Sequence, residues 1–212
     1  MKLIIGNRNY SSWSFRAWLG LTMGGVAFET ELRPFDEEND FRDYLAFSPT
    51  GKVPVLQDQG RTVWESLAIL EYAAETHPEK PFWPEDADAR TYARCIAHEM
   101  HAGFSGIRNE CPMNMRRAPG DLVVSEAVRK DVARIETILD NCLQTYGGPF
   151  LFGPFSIADA MYAPVVNRLE IYRLSTHPAV ERYTQAMKAL PAWQDWVEKG
   201  CAEPWVVAMD EV

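Results

Sequence analysis

Two short stretches hold the residue types that could do chemistry. The first is Val53-Pro54-Val55-Leu56, a turn at Asp58-Gln59-Gly60, then Thr62-Val63-Trp64-Glu65-Ser66. Pro54 stands at the start of a strand, where a missing N–H is tolerated. An X-Pro bond there prefers trans by under about 1 kcal/mol, and its cis form would turn the Val53 N–H and C=O outward as an edge for an extended peptide. Glu65-Ser66 is followed by Leu67-Ala68-Ile69-Leu70-Glu71-Tyr72-Ala73-Ala74, a strong helix former. Ser66 then opens a helix whose unpaired N–H groups hold a carboxylate, and Glu65 beside it takes an ammonium. Together they suit an α-amino acid head group. Each half also has a plainer reading, Val-Pro-Val as a strand start and Glu-Ser as a helix cap. The second stretch is Tyr10-Ser11-Ser12-Trp13-Ser14-Phe15-Arg16. It gathers hydroxyls at the start of another helix, where Ser11, Ser12 and Ser14 are also ordinary caps.

The elements that must position these residues follow from periodicity. Leu3-Ile4-Ile5 is a short strand ended by Gly6-Asn7. Phe15, Trp18, Leu19, Thr22 and Met23 recur at helical spacing until Gly24-Gly25, and Val26 to Leu32 reads as a second strand. A short helix from Asn39 to Ala46 leads to the hairpin of the first stretch. Strand-helix-strand needs a crossover and a parallel pair, and the hairpin adds antiparallel strands. That order matches a thioredoxin-like domain over residues 1–80. His77 to Asp88 holds three prolines without a period and reads as a linker. Beyond it strand signals vanish, which predicts an all-α domain over residues 87–212, so the fold class is α/β followed by an all-α bundle. Helices are expected at Ala87 to Glu110, around the stripe Val128, Val132, Ile135, Leu139, Cys142 and Tyr146, and at Ser156 to Tyr172, Ala179 to Leu190 and Ala192 to Lys199. Ser156-Ile157-Ala158-Asp159 reads as a capping box with Asp in place of Glu, which makes Asp159 structural.

Charge and composition exclude several classes. A net charge of −9 and a pI near 5.0 leave little to attract nucleic acid or an anionic membrane. No apolar run approaches a membrane span, and the first residues are too short for a signal peptide, so a cytoplasmic protein is expected. Cys95, Cys111, Cys142 and Cys201 form no C-x-x-C or zinc pattern and read as reduced, mostly buried thiols. His98-Glu99-Met100-His101 is one residue short of H-E-x-x-H; no metal is expected, and its histidines face the cleft or solvent. Arg108, Arg116, Arg117 and Arg168 read as surface charges, with guidance of an anionic substrate as the alternative. Trp205 belongs to an apolar pocket, to the core or to a subunit contact.

G-K-V-P-V-L followed by W-E-S-L-A-I-L-E-Y resembles the glutathione-binding half of the cytosolic glutathione S-transferases. The resemblance implies that Val53 and Pro54 present backbone to the cysteinyl part of glutathione, and that Glu65 and Ser66 hold its γ-glutamyl end. Lys52 or Arg42 is then the partner of the glycyl carboxylate, or a solvated charge. A thiol has a pKa near 8.5, so a neighbouring hydroxyl and a helix N-terminus that favour the thiolate make glutathione a better nucleophile. S-S-W-S-F-R is similar to the serine-type enzymes, above all the zeta class, whose pattern is Ser-Ser-Cys-Ser with Arg one residue later. By that resemblance Ser11 is the thiolate donor, Ser12 its neighbour and Arg16 the basic residue of the first helix, with Ser12 and Tyr10 as rivals for the donor. Trp13 stands where the zeta pattern has Cys, which counts against zeta isomerase activity. The resemblance implies glutathione as co-substrate, a small hydrophobic electrophile, a role in detoxification and a homodimer with Trp64 near its contact. A non-catalytic binding protein of the same fold and a glutathione-dependent isomerase or peroxidase are the alternatives.

Overall fold

Leu3, Ile4 and Ile5 are all buried, which places the first strand, β1 (Lys2–Ile5), inside a sheet rather than at its edge. The computed structural model describes residues 1–35 and 42–212. The short helix expected from Asn39 falls partly outside them; its described end is a 3-10 turn, Arg42–Ala46. β1 pairs in parallel with β2 (Glu29–Leu32), setting Leu3 opposite Thr30, and antiparallel with β3 (Val55–Asp58), setting Leu3 opposite Leu56. β4 (Arg61–Trp64) completes a sheet of order β2-β1-β3-β4. Gln59 and Gly60 turn between β3 and β4 with φ of 46° and 80°, the two left-handed residues of a type I′ hairpin.

Two strands are shorter than their apolar runs. β2 starts at Glu29 because Val26 still donates to the Leu21 carbonyl and so belongs to the helix exit. β3 starts at Val55 because Pro54 has no N–H to give the ladder. The first helix, α1 (Ser12–Met23), lies against α2 (Ser66–Thr76) and against a central helix of the second half.

That second half is helical throughout its described elements. The single helix predicted from Ala87 to Glu110 is two: α3 (Ala87–Ala102) and α4 (Ser105–Glu110). Gly103 is extended and Phe104 left-handed at φ 54°. The break turns Phe104 and Ile107 inward, and Arg108 Nη1 donates to the carbonyls of His101 and Gly103 at 3.3 and 2.9 Å, satisfying groups the interrupted helix leaves open. α5 (Glu126–Tyr146) buries the expected stripe from Val128 to Cys142. α6 (Ile157–Ile171) is apolar around most of its circumference and is packed by α1, α3 and α7 (Pro178–Lys188). α8 (Pro191–Cys201) joins Trp193 and Trp196 to Phe15 and Trp18 of α1.

Gly106 sets the distance between α4 and α5. A Cβ there would lie 2.7 Å from the Ala127 carbonyl carbon and 2.8 Å from the Val128 nitrogen, both backbone atoms that cannot rotate away. Gly106→Ala is therefore expected to lower the free energy of unfolding by about 1–3 kcal/mol, measured by chemical denaturation.

Candidate functional site

The loop between β1 and α1 is fixed from both sides. The Asn7 carbonyl accepts from the Ser11 N–H at 2.8 Å, while Glu203, past α8, accepts from the backbone N–H groups of Arg8 and Asn9 at 2.9 and 3.3 Å. Ser11 is the N-cap of α1: its Oγ accepts from the Ser14 N–H at 3.4 Å and donates to Ser14 Oγ at 2.8 Å, and Ser14 Oγ in turn accepts from Gly6 N–H. Ser12 Oγ accepts from Arg168 Nη2 at 3.3 Å. Tyr10 donates its phenol proton to Glu211 and accepts from Arg116 at 2.6 Å. Burial, then the Glu211 hydrogen bond, raises the Tyr10 pKa, so the phenol is a poorer donor to an incoming anion than its type suggests.

Ser11, Ser12, Lys52 and Val53 line a cleft of about 560 Å³, with Trp13 and Tyr44 as its aromatic walls. Lys52, Val53, Pro54 and Glu65 line an adjoining space of about 230 Å³ closed by Trp13, His101 and Arg108. The two share Trp13, Thr50, Lys52 and Val53, so one continuous groove carries six of the seven site residues expected from sequence. The seventh, Ser66, lies behind it at the first position of α2, buried, with its Oγ lacking a partner among the described residues. Val53-Pro54 is cis. Ser48 Oγ donates to the Lys52 carbonyl at 2.6 Å and accepts from its N–H at 3.0 Å, pinning the backbone that leads into Val53. The side chain of Arg42 lies outside the described part of the structure.

Glu65 sits at φ 66°, a conformation that costs a non-glycine residue of order 1 kcal/mol and that turns its side chain out of the α2 cap. Among the described residues its carboxylate pairs with His101 alone, Nε2 to Oε2 at 3.7 Å. Burial, ahead of the opposing pull of Glu65, lowers the His101 pKa. A neutral imidazole leaves the carboxylate available to a ligand cation at neutral pH.

The residues that sequence reasoning placed at the surface are the main correction. Arg168, read as a surface charge, is 4% exposed, and Arg16, expected only as the basic residue of the first helix, is buried beside it at 0%. Arg16 Nε donates to the Met161 carbonyl and Arg168 Nε to the Cys111 carbonyl, each at 2.8 Å. Arg16 and Arg108 lie over the Trp13 ring at 4.3 and 5.1 Å, so the tryptophan that replaces a cysteine of the zeta pattern carries two guanidinium contacts. Arg116 is tied to the Glu203 and Trp205 carbonyls, at 2.9 and 2.7 Å, and Arg117 to the Val212 carbonyl. No period marks these arginines as buried; a basic residue on an otherwise apolar helix face was the only signal, at Arg168. His101 faces the groove, whereas His98 is exposed. The cysteines divide: Cys111 and Cys142 are buried, their thiols pushed up to about 11 and about 12 by burial, but Cys95 and Cys201 are exposed, against the expectation of mostly buried thiols. Among the described residues no cluster could hold a metal ion, and no helix is long and apolar enough to cross a membrane. A further cleft of about 800 Å³, walled by Phe35, Tyr44, Phe47, Trp205 and Val206, opens from the same groove and shares Phe35 and Tyr44 with it.

Comparison with known proteins agrees with this layout. Residues 10–76 match the family described as Glutathione S-transferase, N-terminal domain, and residues 123–199 match Glutathione S-transferase, C-terminal domain. Maleylacetoacetate isomerase of Rattus norvegicus is 28% identical over 202 residues, 92% of this chain and 90% of its own length. The zeta-class glutathione S-transferase of Euphorbia esula is 25% identical over 194 residues, 87% of this chain and 85% of its own. A solved glutathione transferase homolog from Burkholderia GL BGR1, with bound glutathione, shares the fold at a TM-score of 0.72 and 24% identity, over 94% of this chain and 97% of that one. With both domains of one family matched in chain order over about two thirds of its length, the chain belongs to the glutathione S-transferase family.

Proposed function

We propose that the protein binds glutathione along the groove and directs its thiolate at a small hydrophobic electrophile. The observation that carries this reading is the convergence, in one groove, of hydroxyls at the α1 N-terminus, a carboxylate free of strong pairing and the backbone of Val53. Glu65 takes the γ-glutamyl ammonium, and the α2 N-terminus with the unpartnered Ser66 Oγ takes the adjacent carboxylate. Val53, beside Pro54, offers backbone to the cysteinyl unit, and the exposed Lys52 reaches the glycyl carboxylate. Ser11 or Ser12 donates a hydrogen bond to the sulfur. Serine acts as a donor only, since its own proton is held far more tightly than a thiol's. The glutathione thiol supplies the nucleophile when bound. The apolar wall of Phe35, Phe47 and Trp205 receives the electrophile.

A second reading has support in the relatives. Several are named maleylacetoacetate isomerase, which favours reversible addition followed by isomerisation over permanent conjugation. Trp13, in the place of the zeta cysteine, narrows the groove beside Ser12 and favours conjugation. We also take the chain to divide into a glutathione-binding unit over residues 1–80 and a helical unit over residues 87–212, and to act as a cytoplasmic homodimer with the 40% exposed Trp64 near its contact.

The test is steady-state kinetics with glutathione varied against an activated aryl halide and, separately, against a cis-configured unsaturated diketone. Saturation in glutathione with either acceptor is expected. Glutathione binding without turnover on either would reduce the protein to a binding module.

A further inference from the structure

Behind the hydroxyl pair lie two buried guanidinium groups, those of Arg16 and Arg168. Arg16 and Arg168 face each other across the α1–α6 contact, and among the described residues neither forms an ion pair. Their partners are backbone carbonyls, the Trp13 ring and Ser12 Oγ. Nη1 and Nη2 of Arg16 and Nη1 of Arg168 are buried without a hydrogen-bond partner among the described residues. Burial first, then Arg168 and Arg108, lowers the Arg16 pKa, and burial, then Arg108, lowers that of Arg168 to about 10; a guanidinium keeps its proton at neutral pH. Such a pair is costly unless an anion comes to it, and the groove above it is where the sulfur is placed.

The serines differ in how they meet this charge. The Ser11 proton is directed to Ser14 Oγ. Ser12 accepts from Arg168 and has no acceptor for its own proton among the described residues. A guanidinium occupying one lone pair fixes the hydroxyl and makes its O–H a stronger donor. We propose, building on the glutathione reading, that Arg168 is the positioning residue of thiol activation: it holds Ser12 so that the Ser12 O–H donates to the bound sulfur, and with Arg16 it supplies the field that favours the thiolate. The thiol proton leaves to solvent and Ser12 keeps its own. The other titratable groups facing Arg168 are Arg108 and Cys111 at the end of α4, Tyr172 at the end of α6 and Asp210 of the C-terminal segment. Of these only Asp210 is a carboxylate, and its effect is the smallest.

The experiment follows the ultraviolet absorbance of bound thiolate against pH in the full-length protein and in Ser12→Ala, Ser11→Ala, Arg168→Met and Arg168→Lys. The pKa of bound glutathione is expected to rise by about one unit or more in Ser12→Ala and Arg168→Met, and to be largely restored in Arg168→Lys, which keeps the charge. Ser11→Ala is expected to shift it less than Ser12→Ala. Ser12→Ala removes a single groove hydroxyl, so its result stands even where Arg168→Met unfolds through loss of the Cys111 bond. An unchanged pKa in Ser12→Ala with a raised one in Ser11→Ala would overturn the assignment. Failure of the parent protein to bind glutathione would instead remove the functional reading itself, and this inference with it.

Discussion

Asp159→Ala is expected to lower the free energy of unfolding by about 4 kcal/mol at pH 7, well beyond the roughly 0.5–2 kcal/mol of an ordinary cap. The carboxylate does more than cap α6. It accepts from the Ser156 N–H at 2.8 Å, from the Leu151 N–H at 2.9 Å in the preceding loop, and from the Tyr183 hydroxyl at 3.0 Å on α7. Alanine would leave these three buried donors unmet, each at about 1–3 kcal/mol before relaxation. Denaturant titration measures the loss, and a change below about 1 kcal/mol would show that the three donors find other partners.

Burial outweighs those bonds in setting the acidity of Asp159, raising its pKa from 3.8 to about 6. The folded state therefore holds the proton longer than the unfolded chain. Its contribution is fully present below about pH 4 and is lost as pH rises to about 6, a change of about 3 kcal/mol. Stability of the parent protein relative to Asp159→Asn should fall across that interval and level off above it.

The second large effect concerns binding. Glu65→Ala combined with Ser66→Ala is expected to weaken glutathione about 100-fold or more, while leaving the melting temperature nearly unchanged. The numbers follow from what each group lacks at present. Among the described residues Glu65 is exposed and meets only a weakly paired His101, and Ser66 Oγ meets no partner, so neither contributes much to folding. A charge-assisted hydrogen bond to ligand is worth about 1.5–3 kcal/mol, and two such bonds give the stated range. Calorimetric titration of the double variant measures it. Undiminished affinity would place the amino-acid end of the ligand elsewhere.

What the sequence made legible was whatever local rules decide. Gln59-Gly60 between two apolar runs specified the hairpin, because only left-handed residues make that turn. The spacing of Val128 to Cys142 specified the buried face of α5, and Ser156 with Asp159 specified the start of α6. Tertiary contacts decided the rest. Residues 87–110 read as one helix because the gain from burying Phe104 and Ile107 by breaking it at Gly103 has no local signature. Arg16 and Arg168 read as ordinary basic residues because a buried guanidinium is identified by what surrounds it across two elements distant in the chain. The fastening of Tyr10 by Glu211 and Arg116 joins positions that no period relates.

The central claim is that the groove binds glutathione and ionises it. Calorimetric titration of the purified protein with glutathione, followed on the same sample by thiolate absorbance against pH, tests both halves together. The account predicts one saturable site and a bound thiol pKa clearly below the free value near 8.5. No heat of binding, or binding with an unshifted thiol, would contradict it.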